Sequence, residues 1–155
     1  MTIERGAFTR AFMTCNRLGQ QGFAVWLLLP GMQYQAPGTW WGDGAMRPRP
    51  HEGVDLALYR DGGGRIRTLN AEHRIAVPAA GVIRRIFPDF IGHTIVIEHD
   101  ETDEPPGNAR LCSIYGHTVP LPDVRPGMRV APGRAIATVA AASPGRGPRG
   151  HLHLS

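Results

Sequence analysis

Twenty glycines and fourteen prolines are dispersed along these 155 residues rather than gathered in one tract, and no other feature limits the fold more. Both residues interrupt helices and bound short strands, so their spread favours a loop-rich β domain over a helical one. The length suits one domain with a sizeable core. The apolar fraction of 42% is that of a folded chain, which excludes wholesale disorder.

Between the breakers the signals are nearly all β. Residues 1–20 are polar and mixed, and they read as a tail or a packed N-terminal turn. FAVWLLL (23–29) reads as a buried strand ending at Pro30. The stretch from Pro30 to Pro50, with Trp40 and Trp41 adjacent, reads as a long loop, and such loops carry function or wall a site. IAVPAAGVIRRIF (75–87) holds strand residues broken by Pro78 and Gly81, and HTIVIEH (93–99) alternates with a period of two. The acidic DETDEPPGN (100–108) is a chain reversal, LCSIYGH (111–117) a strand, and VRPGMRVAPGRAIATVA (124–140) two PG turns with strands between and after them. SPGRGPRG (143–150) is a loop before a last strand, HLHLS. The expectation is a mainly β fold with an antiparallel sheet core and long loops forming a groove.

The formal charge is +4, and all seventeen basic residues are arginine. A basic balance favours adhesion to anionic polymers, but these arginines form no dense run or aromatic-studded repeat, which argues against nucleic-acid binding. No apolar stretch approaches the length of a bilayer span. FAVWLLL follows Arg5, Arg10 and Arg17 somewhat as a signal peptide would, yet PGMQYQ follows it in place of a small-residue cleavage site. Cys15 and Cys112 fix neither a disulfide nor a compartment.

Two histidine patterns carry chemistry. In GHLHLS (150–155), His151 and His153 share one face of a strand while Leu152 and Leu154 take the other. Their Cα atoms would lie roughly 6.5–7 Å apart, near enough to serve one small site. In PHEGVD (50–55), His51 and Asp55 stand four apart, on one face of a strand with Gly53 between them. Imidazole nitrogen and carboxylate oxygen are good zinc ligands, and together the two patterns supply three or four of them. Each pattern alone is weak, and a polar strand face that happens to carry histidines explains either one equally well. HEGVD also approaches HExxH with Asp in place of the second His, which on a helix would make Glu52 a general base. Gly53 and the strand-like flanks oppose that reading.

The ordered set RPHEGVDLAL (49–58), IAVPAAGVI (75–83), GHTIVIEHD (92–100), IYGH (114–117), VRPGMRVAPGRAIATVA (124–140) and HLHLS resembles the lysostaphin-like, LytM-type zinc endopeptidases of peptidoglycan. The resemblance covers roughly residues 45–155 and implies a single peptidase domain over 21–155, preceded by the 1–20 tail or packed extension. It implies one Zn2+ held by His51, Asp55 and His153, with His151 and His117 as the catalytic pair. His151 would act as base and His117 as oxyanion stabiliser, roles that could be exchanged or shared. Three protein ligands leave a fourth position open, as in catalytic rather than structural zinc sites. The implied substrate is the peptide part of peptidoglycan, either a glycine-containing bridge or a cross-link with D-amino acids, and the implied location is the cell envelope. Such domains continue past HxH with further strand, whereas this sequence stops at Ser155, so the final strand is expected to be short or frayed.

Two other functions compete. A non-cutting relative that binds or regulates wall enzymes would have the same fold, but degenerate members lose ligands, and here none is missing. PGMRVAPGRAIATV is similar to the turns of biotinyl and lipoyl carrier domains, which need an attachment lysine that this chain lacks. The remaining residues take structural roles on this reading: His73 and His93 at loop or strand edges, exposed or capping, and His99 as a structural strand end. Glu98 is a conceivable acid without a visible partner. Trp40, Trp41 and Tyr115 either wall a groove or pack.

Overall fold

The computed structural model describes residues 4, 6–100, 110–141 and 149–155. The chain reversal read at 100–108 and the loop read at 143–150 lie mostly outside those residues. The architecture is mainly β and antiparallel. A small sheet joins β1 (Val25–Leu27), β3 (Leu58–Arg60) and β4 (Ile66–Thr68) in the order β1-β3-β4. The large sheet runs β2 (Val54–Leu56), β11 (Leu152–Leu154), β8 (Cys112–Pro120), β7 (His93–His99), β6 (Gly81–Pro88) and β9 (Arg129–Val130). β10 (Ala135–Val139) pairs with β8 and with β5 (Arg74–Ala76).

Alternation explains the core. In β7, Ile95 and Ile97 are fully buried while Val96 and Glu98, which alternate with them, are only partly covered, as expected of a sheet with one face on the interior. Ile83, Tyr115, Ile136, Val139 and Leu152 fill the same core. Tyr115 is wholly buried, and burial pushes its hydroxyl up to about 12; it therefore packs rather than walls a groove. The Glu98 carboxylate lies between Arg84 and Arg110, whose hydrogen bonds hold it down at about 2, so it stays ionised in surface ion pairs and is no proton donor. His99 is buried, with Nδ1 3.2 Å from Ala80 O and Nε2 2.8 Å from Ser113 Oγ. His93 is exposed. Cys15 and Cys112 are both free.

Three segments differ from expectation. FAVWLLL is not a buried strand ending at Pro30: β1 spans only Val25–Leu27, paired on one side with β3, and Val25, Leu28 and Leu29 are exposed. Residues Ala7–Cys15, within the stretch read as tail or turn, form a helix, α1. Phe12 of α1 is fully buried among Trp26, Phe23 and Tyr59, at ring separations of 4.9, 6.3 and 6.4 Å. His73 stacks on it at 6.0 Å and lies 3.3 Å from the Tyr59 hydroxyl, so this histidine joins helix to sheet. Beyond the helix, Asn16 completes the edge of β5: its side chain donates to Arg74 O at 2.8 Å and accepts from Arg74 N at 2.7 Å. The final strand is short but not frayed. β11 pairs with β2 on one side and β8 on the other, and Ser155 exchanges backbone hydrogen bonds of 2.7 and 3.1 Å with Ile114.

Candidate metal centre

The register of the large sheet brings the site together. His153 of β11 stands directly opposite Asp55 of β2, and directly opposed residues project on one face with Cβ atoms roughly 4.5–5.5 Å apart. On its other side His153 faces Gly116 of β8, where a Cβ would come within 3.2 Å of His153 Cβ. His51 lies in the segment entering β2, not on the strand itself, and backbone bonds with Gln35 and Ala36 fix it there. The helical HExxH geometry is absent: residues 51–53 carry no helix and β2 begins at Val54. Gly53 is required by close approach, since a Cβ there would lie 2.5 Å from Leu154 O and 2.8 Å from His153 Nε2.

Three atoms converge at this point. His51 Nε2 and Asp55 Oδ1 are 3.1 Å apart, His153 Nδ1 and Asp55 Oδ1 3.0 Å, and His51 Nε2 and His153 Nδ1 3.1 Å. His51 Nδ1 lies 3.0 Å from the Gln33 carbonyl. A carbonyl can only accept, so that nitrogen carries the ring proton and Nε2 presents a lone pair. A lone pair and a carboxylate oxygen at that spacing repel unless something positive lies between them. One proton on His153 Nδ1 serves them only by being shared, whereas a divalent cation satisfies all three. Zinc bonds of roughly 2.0–2.1 Å in a tetrahedron imply ligand–ligand edges of about 3.3 Å, close to the observed triangle. The donor set therefore fits zinc in type and spacing.

Asp55 is 2% exposed. Burial alone would raise its carboxyl, but hydrogen bonds from His153 and Trp40, with the neighbouring imidazoles, outweigh burial and hold it at about 2. It is ionised at neutral pH. His151, 1% exposed, is depressed by burial to about 4 against the pull of Asp55, so it is a neutral ring. Its Nδ1 lies 2.8 Å from the Arg149 carbonyl, which leaves Nε2 bare and 3.8 Å from Asp55 Oδ1.

His117 arrives by a distortion. The register between β7 and β8 shifts between His93 and Ile95, and β8 carries the extra residue there, the signature of a β-bulge. His117 adopts φ 62°, a left-handed conformation costing a non-glycine residue about 1–2 kcal/mol. The bulge turns its ring towards His151, with centroids 4.6 Å apart. Asp89 holds the arrangement: its Oδ2 accepts from His117 N at 2.9 Å and Thr94 Oγ1 at 2.9 Å, and its Oδ1 from Ile91 N and Gly92 N at 2.9 and 2.7 Å. Burial opposes ionisation of Asp89, but these bonds hold its carboxyl well below the usual carboxylate range. Asp89 Oδ1 is also 3.2 Å from His117 Nδ1, although the pair is poorly aligned for a hydrogen bond.

All five predicted site residues thus meet at one place. Sequence reasoning missed Asp89, whose one signal was an acid in the PDFIG turn between two strands. It left Trp40 open between walling a groove and packing, and the structure has the Trp40 indole N–H donating to Asp55 Oδ2 at 2.7 Å. It also missed Phe90, 73% exposed, whose ring packs on His117 at 4.6 Å.

No protein-family profile matches the chain, and no curated protein does. Among solved structures, the chain is similar to a protein from Pseudomonas aeruginosa provisionally described as a peptidase M23. Identity is 22% and the TM-score 0.43, over 98% of this chain and 54% of that one. The chain thus spans about half the length of that neighbour, and at such identity and score the likeness defines neither activity nor residue roles.

Proposed function

We propose that the chain is a zinc-dependent endopeptidase, with its peptidase domain over residues 21–155, hydrolysing peptide bonds of peptidoglycan stem peptides or cross-bridges in the cell envelope. The observation that carries this reading is the triangle of His51 Nε2, Asp55 Oδ1 and His153 Nδ1 with two further imidazoles beside it. When bound, zinc supplies a Lewis acid and brings the pKa of a bound water towards 7.

The remaining chemistry belongs to the side chains. His151 is neutral, with Nε2 directed at the site, and is placed to accept a proton there. His117 lies beside His151 with its Nδ1 3.2 Å from the Asp89 carboxylate. That ring is the better placed to donate a hydrogen bond to the oxyanion. The substrate class comes from the sequence resemblance and not from the geometry.

The test is digestion of purified cell walls of defined cross-link type, with the new termini identified by mass spectrometry and a chelator control. Chelator-sensitive release of peptide termini is expected. Zinc binding without any new termini would instead favour the non-cutting, regulatory reading.

A further inference from the structure

A carboxylate has two oxygens, and the triangle described above uses one. Asp55 Oδ1 faces His51, His153 and His151, while Oδ2 turns to the long loop before β2. There it accepts the Trp40 indole N–H at 2.7 Å, with Arg47 Nη2 farther off at 3.6 Å. The same indole stands edge-on to His151, with centroids 5.2 Å apart at 88°. One side chain thus touches both Asp55 and His151.

The loop is built to hold it there. Arg47 donates to Gly38 O at 3.2 Å and Gly31 O at 3.1 Å, and its guanidinium lies 5.0 Å from the centre of the Trp41 ring. Thr39 N–H reaches Ala45 O at 2.9 Å, and Arg47 N–H reaches Pro37 O at 2.7 Å. Gly31 is pressed against this arch, where a Cβ would come within 2.5 Å of the Thr39 carbonyl carbon. An indole N–H cannot accept and does not leave as a proton at ordinary pH, so it always meets Oδ2 as a donor and competes with a metal for that oxygen. Oδ1 is then the favoured oxygen to bind, coordination stays low, and a place for another ligand is kept.

We infer that Trp40, carried by the Arg47-clasped loop, is a positioning residue that holds Asp55 as a one-oxygen ligand. This rests on the zinc reading of the site. Trp40→Phe tests it, because phenylalanine keeps a ring edge towards His151 but has no N–H. Competition with a chromophoric chelator should show zinc bound about 10-fold or more weakly than in the parent chain. The visible spectrum of the cobalt(II)-loaded variant should shift towards higher coordination number.

If the parent chain takes up no zinc, the reading of the site fails and Trp40's role with it. If the parent binds zinc and Trp40→Phe binds within about two-fold of it, with an unchanged cobalt spectrum, the positioning role alone is overturned. Should the variant not fold, the sequence-assigned Trp40 indole proton of the parent decides by NMR. Slowed exchange and a shift on adding zinc are expected, and solvent-rate exchange with no shift would overturn the proposal.

Discussion

Single side chains at this site do separable jobs. Asp55 supplies the charge of the triangle and touches each of its partners, whereas His151 lies 3.8 Å off and holds its own proton against Arg149 O. Asp55→Ala should therefore abolish zinc uptake, while His151→Ala should retain zinc and lose hydrolysis by on the order of 10²–10⁴-fold, as for a lost general base. Metal content and wall digestion, measured on both variants, check this; near-normal digestion by His151→Ala would remove it from the role of base. Gly53 is a second case. Its φ is unexceptional, so the constraint is space: an added methyl meets Leu154 O and the His153 ring at 2.5 and 2.8 Å. A backbone oxygen cannot yield cheaply, so Gly53→Ala should cost about 1–3 kcal/mol in urea unfolding and weaken zinc binding as His153 is displaced.

At the scale of elements, the β6–β7 turn and the β8 bulge behave as one unit joined through Asp89. Four hydrogen bonds converge on that carboxylate, one of them from the backbone of the bulged His117. Asp89→Ala leaves those donors unpaired and should cost about 2 kcal/mol or more at pH 7, with loss of hydrolysis as His117 relaxes. The pH dependence has a definite sign. Asp89 is depressed in the folded chain, so its contribution is complete above the unfolded value of roughly 3.9 and is lost as pH falls towards the folded value. The stability gap between parent and variant should be level from neutrality down to about pH 4–5 and narrow below. Urea midpoints at pH 7, 5 and 3 measure it, and a gap that widened on acidification would contradict the assignment.

For the whole molecule, strands were legible where period-two patterns and Gly or Pro boundaries coincide, as in β7, which was read at its observed limits. The three residues of the triangle were legible as candidates because two short motifs carried them. What escaped depends on contacts distant in sequence. α1 offers only a short apolar stripe of Phe8, Ala11, Phe12 and Cys15, and its stability comes from the aromatic cluster it packs into rather than from helix propensity. The bulge at His117 exists only in the pairing of β7 with β8. Trp40 sits in an aperiodic loop, where no pattern tells a packing ring from a partner of Asp55. No helix among the described residues is long and apolar enough to cross a membrane. Zinc that binds the folded triangle should stabilise the fold: at a zinc concentration 100 times Kd the gain is about 2.7 kcal/mol, or roughly 5–10 °C in Tm. Calorimetry with and without zinc checks this, and an unchanged Tm would argue against the centre.

The opposed pair Asp55 and His153 is separated by 98 positions, and that span gives the ion a second effect. Bridging the two strands would close a loop spanning most of the domain, acting on the unfolded ensemble as a reversible cross-link does. A polypeptide still on the ribosome and not yet extended to residue 153 cannot form the clasp. Any ion-dependent cutting would thus be withheld until translation had passed that point.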